Sequence, residues 1–118
     1  MRKSIIYFIG SLIIALIMFI SNYQITHWHE EIHKTIYEHY GIESEIEYDN
    51  FGLSGETRAY YKEGQCPEMC KFAHELNEIV EYNVLIVLET SLFIVFICFL
   101  VKTFVYLKEE EDQIGISI

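Results

Sequence analysis

Two apolar runs, one near each end of a 118-residue chain, constrain its fold more than any other feature. The first, Ile5 to Ile20, is broken only by Tyr7, Gly10 and Ser11. At 1.5 Å per residue it covers about 24 Å of the ~30 Å hydrocarbon layer, and Ser21 to Ile25 continue the helix through the interface. The second, Val84 to Leu107, is long enough to span with some tilt. A soluble domain of this length has no room to bury both. The expected fold is therefore a membrane α-helical hairpin of two transmembrane helices carrying a small α+β extracytoplasmic domain. Its parts are an N-terminal anchor over 1–25, the outer domain over 26–82, the second span over 83–108 and an acidic cytoplasmic tail over 109–118.

Basic residues orient the hairpin. Arg2 and Lys3 precede the first run, and Lys102 and Lys108 flank the exit of the second. Both termini are expected in the cytoplasm and the loop outside the cell membrane. Arg2-Lys3 also suits the basic region of a signal peptide, but Ser21-Asn22-Tyr23-Gln24 offers no small-x-small cleavage site, so the first run reads as a retained anchor. Glu89 lies inside the second run, where a carboxylate must be protonated, paired or close to the interface. Cys98 in that run reads as a packing residue, and Glu109 to Asp112 as a solvated tail.

The net charge of -10 excludes general nucleic-acid binding, which needs a cationic surface for the phosphates. With 52% hydrophobic residues the chain is not of the disordered class either. In the loop, Trp28, Ile32, Ile36 and Tyr40 recur at helical spacing, which predicts a helix over 26–40 stopped by Gly41. Ile42, Ser44, Ile46 and Tyr48 alternate with Glu43, Glu45 and Glu47, as a half-buried strand does. Turn chemistry follows from Asp49 to Gly55, with a return strand over 57–61 and a second helix over 71–82 that runs into the second span. Cys66 and Cys70 would lie on the oxidising face, which favours a disulfide over a metal site.

All five histidines, His27, His29, His33, His39 and His74, fall in this loop. His29-Glu30-Glu31-Ile32-His33 reads H-E-x-x-H. On a helix, positions i and i+4 share a face, so both rings can reach one zinc ion, with Glu30 placed as a general base. These residues resemble the zinc metallopeptidases of the H-E-x-x-H type, and nearest among them the gluzincins. The chain also looks like small membrane-anchored archaeal proteins that combine the motif, a cysteine pair and a following Asn-Glu helix. In gluzincins a glutamate on a later helix, often preceded by asparagine, supplies the third ligand, and Asn77-Glu78 stands in that place here. The resemblance implies Glu78 as third ligand, with His74, one turn earlier, as the alternative. Tyr60, Tyr61, Tyr82 and His74 are the candidates to assist an oxyanion.

The chain departs from gluzincins in having its strands after the motif helix, where those peptidases place a sheet before it. Two functions are thus expected of it. One is a membrane-anchored zinc metallopeptidase acting on a peptide or protein substrate. The other is a non-catalytic, metal-stabilised or accessory subunit of a larger membrane complex.

Overall fold

A computed structural model describes residues 2–117. The order of elements is helix α1 (Lys3–His39), strand β1 (Ser44–Asp49), a 3-10 turn (Asn50–Gly52), strand β2 (Ser54–Ala59) and helix α2 (Glu68–Ser117). Two long apolar helices thus flank a two-stranded sheet, and both are long and apolar enough to cross a membrane. The chain divides into two compact units, one of the segments up to Met18 and from Leu88 onward, the other of Phe19–Val87.

In the first unit burial is inverted relative to a soluble protein. The covered residues include Ser4, Ser11 and Thr103, while Leu12, Leu16, Phe93 and Phe104 are more than half exposed. Gly10 admits the Phe99 ring, which would lie 2.6 Å from any added Cβ. Tyr7 meets Phe99 edge-on at 5.6 Å and stacks on Tyr106 at 5.4 Å. The acidic run, expected as a solvated tail, is exposed at Glu109, Glu111 and Asp112 but continues α2 as helix. Ser4 Oγ donates to Glu110 at 2.7 Å, which sets a carboxylate at the positive N-terminal end of α1. Cys98, expected as packing, is exposed. Glu89 is half-buried, and its Oε1 is covered with no hydrogen-bond partner among the described residues.

In the second unit, the expected helix over 26–40 is the continuation of α1, because neither Gly nor Pro stands between Ile20 and Tyr40 to interrupt it. It ends where Gly41 takes φ +71°. There Ile42 N–H donates to the Tyr37 carbonyl at 2.9 Å and Gly41 N–H to that of Glu38 at 3.0 Å, the paired bonds of a Schellman cap. Ile42, expected to open the strand, is instead the residue that seals this cap, 3% exposed against Cys66 and Cys70. The sheet is antiparallel, with Ile46 opposite Thr57 and Tyr48 opposite Gly55. Ser44, Ile46 and Tyr48 turn inward, as the alternation predicts. Ser54 and Gly55, expected in the turn, are already paired in β2, because Asn50, Phe51 and Gly52 make the reversal in a short left-handed stretch. The Cys66–Cys70 disulfide forms, and α2 begins right after Pro67, three residues earlier than expected.

Candidate metal centre

Helical spacing on two elements builds this site. On α1, Thr26, His29, Glu30 and His33 lie along one stripe, the first three buried and His33 half-buried. On α2, His74, Asn77, Glu78 and Glu81 follow the i, i+3, i+4, i+7 pattern of a single face. The two faces meet within the Phe19–Val87 unit. Asn77 Nδ2 donates to the His29 carbonyl at 2.9 Å, a buried bond that fixes their register.

His29 Nε2, His33 Nε2 and Glu78 Oε1 converge. The two nitrogens are 3.1 Å apart, and Glu78 Oε1 is 3.2 Å from the first and 2.8 Å from the second. A triangle of this size has a point about 2.0–2.2 Å from every corner and about 1 Å out of plane, the range for zinc with nitrogen and oxygen ligands. The same three residues form a group suited to a metal ion.

The outer ring nitrogens bear on how this group could hold a cation. Glu81 Oε2 stands 2.9 Å from His29 Nδ1, a close charge contact out of line for a full hydrogen bond. His33 Nδ1 and His74 Nδ1 are 2.6 Å apart, so one of them carries the shared proton. With protons on Nδ1 of His29 and His33, both Nε2 atoms present lone pairs, and Glu78 adds a third acceptor. Three acceptors at this spacing repel one another unless a proton or cation lies among them. Among the described residues no lysine or arginine pairs with Glu30, Glu78 or Glu81; their ionic partners are the histidines. Burial holds the Glu81 carboxyl above its ordinary range, opposed by His29 and reinforced by Glu78 and Glu30. Burial and the adjacent His33 hold His74 below the ordinary histidine value, against the pull of Glu78.

Glu30 is 5% exposed, with Oε1 3.8 Å from His29 Nε2. Thr57 on β2 donates its hydroxyl to Glu30 Oε2. Gly55 makes room for this, since a Cβ there would lie 2.9 Å from Glu30 Cγ. A cleft of about 300 Å³ opens over Glu30, His33, Tyr37, Thr57, His74 and Glu78.

His74 therefore stands on the far side of His33 from the converging atoms. A nitrogen of His74 also approaches the sulfurs of Cys66 and Cys70, but these are joined in the disulfide and are not thiolate ligands. His27 lies outside the cluster, stacked between Tyr23 at 4.1 Å and Tyr48 at 3.9 Å, and His39 packs on Tyr40. Of the residues considered for oxyanion assistance, Tyr60 is 90% and Tyr82 67% exposed, Tyr61 packs on Tyr37, and only His74 lines the cleft. Sequence reasoning overlooked Thr57, Tyr37 and Glu81. Glu81 shares the helix face of Glu78, but its approach to His29, like that of Thr57 to Glu30, depends on how another element docks on α1. No protein-family model, curated protein or solved structure matches the chain.

Proposed function

We propose that the chain is a membrane-anchored zinc protein whose outer domain hydrolyses peptide bonds, with His29, His33 and Glu78 as ligands and Glu30 as general base. The observation that carries this reading is the convergence of three acceptor atoms at 2.8–3.2 Å beside a buried, hydrogen-bonded carboxylate. Bound zinc supplies Lewis-acid polarisation of the scissile carbonyl and acidifies water for attack. Glu30, at the rim of the ligand triangle, takes the proton of the attacking water and returns it to the leaving amine. Thr57 holds the Glu30 carboxylate in one rotamer, and Glu81 orients the His29 ring. β2 has a single strand partner and lines the cleft at Gly55 and Thr57, an edge against which an extended peptide pairs.

The membrane placement belongs to the same proposal. Outward-facing apolar residues on both long helices suit lipid, Arg2, Lys3, Lys102 and Lys108 near the outer ends of the runs favour the cytoplasmic side for both termini, and the disulfide suits an extracytoplasmic loop. A second reading, a metal-stabilised non-catalytic subunit of a larger membrane complex, is favoured by one observation: the buried apolar cluster of the Phe19–Val87 unit is only Ile42, Cys66 and Cys70 among the described residues. So small a core gains from a metal that joins α1 to α2.

Hydrolysis of a peptide library by the purified, zinc-loaded protein separates the two. Peptidase function predicts cleavage that falls about 10²–10⁴-fold in Glu30→Gln while zinc is retained. Undiminished cleavage in that variant contradicts the base, and a zinc-loaded protein without cleavage favours the second reading.

A further inference from the structure

The hairpin turn holds a large apolar side chain that packs against little of the chain. Asn50, Phe51 and Gly52 have φ of 52°, 59° and 84°. Left-handed backbone is free for glycine and common for asparagine, but it is costly for phenylalanine. The ring so held is 94% exposed, so burial within the chain does not offset that cost. Backbone strain of this kind points to a function for the side chain it presents.

The level of the turn is fixed by α1. Gly52 lies so close to the Tyr23 ring that any Cβ there would collide with it, and Thr26 Oγ1 donates to the Leu53 carbonyl at 3.3 Å. Tyr23 and Thr26 follow Ile20, the end of the first apolar run, within two helical turns. Phe19, Ile20 and the opening residues of the second run, Val84 to Val87, belong to the same compact unit as the hairpin. The tip therefore stands beside the point where the apolar stretches end, the depth at which aromatic rings settle among lipid headgroups. The flanking Asp49 is acidic and exposed, which suits a zwitterionic surface rather than an anionic one.

We infer that Phe51 is an interfacial anchor that inserts into the headgroup–acyl boundary of a zwitterionic phospholipid bilayer. This rests on the membrane reading above. It ties β2, the strand that carries Gly55 and Thr57 to Glu30, to the membrane surface.

The test uses the full chain, with its native Trp28 replaced by Phe, reconstituted in phosphatidylcholine vesicles. Single tryptophans are introduced as Phe51→Trp, as Tyr60→Trp beyond the opposite end of the ~20 Å strand, and as Phe93→Trp within the second apolar run. Fluorescence quenching by lipids brominated high on the acyl chain is then measured. The expected result is quenching of Phe51→Trp at least threefold stronger than of Tyr60→Trp, with Phe93→Trp quenched by deeply brominated lipid. Quenched Phe93→Trp with Phe51→Trp no more quenched than Tyr60→Trp overturns the anchor and leaves the membrane reading intact. An unquenched Phe93→Trp overturns both.

Discussion

Glu81 lies one turn beyond Glu78 and reaches past the ligand triangle to the far nitrogen of His29. A carboxylate there keeps the proton on Nδ1 and the lone pair on Nε2, so Glu81→Gln is expected to weaken zinc binding about 10–100-fold without unfolding the domain. Competition with a chromogenic chelator, with circular dichroism as the fold control, measures this. At Gly55 the expectation is steric: Gly55→Ala pushes the Glu30 side chain off Thr57, lowering any hydrolytic rate while zinc content stays unchanged. Tyr48 gives a pH dependence. Burial, and then the carboxylates of Glu31 and Glu30, hold its hydroxyl above the ordinary 10.0. Its contribution to stability is thus complete below pH 10 and is lost as pH rises through the raised folded value, and Tyr48→Phe should flatten that alkaline loss in urea titrations. His29, Glu30 and His33 could be named from spacing, and Glu78 only through the resemblance to gluzincins. Thr57 and the orienting role of Glu81 could not, because each depends on a side chain from another element arriving at a given height on α1.

At the scale of elements, helical periodicity was informative and strand ends were not. The Gly41 stop was legible because only a left-handed residue completes a Schellman cap without penalty, and Gly41→Ala should cost about 1 kcal/mol in thermal or chemical denaturation. The reversal falls inside the expected turn, but its tightness was not legible: Asn50 and Phe51 take positive φ, which local propensity disfavours, and so free Ser54 and Gly55 to pair in β2. The length of α2 was also concealed: charged residues Glu109 to Asp112 read as a tail, yet good helix formers with a partner at Ser4 extend the helix through them. The disulfide was legible from compartment and spacing. It joins Cys66 to the first turn of α2, with Cys70 fully covered. Cys70→Ser should destabilise the Phe19–Val87 unit by about 2 kcal/mol, the value for so short a closed loop. Denaturation of the wild type with and without reductant should show the same difference.

Over the whole molecule, acidity and smallness are two sides of one arrangement. Two long apolar helices take up most of the 118 residues, and the sheet and its flanking helix segments bury few apolar groups. Polar contacts do much of the remaining work. Carboxylates cap α1 at Ser4, brace Arg58 on the outer face of the sheet through Glu47 and Glu56, and surround the histidines. The carboxylates around the histidines have no lysine or arginine partner among the described residues, an imbalance that a bound cation would relieve. Elemental analysis of purified protein after zinc loading and extensive dialysis tests this most directly. About one zinc per chain is expected in the wild type and in Glu30→Gln, with little or none in His29→Ala and His33→Ala. Equal zinc in all four proteins, or none in the wild type, would contradict the metal centre.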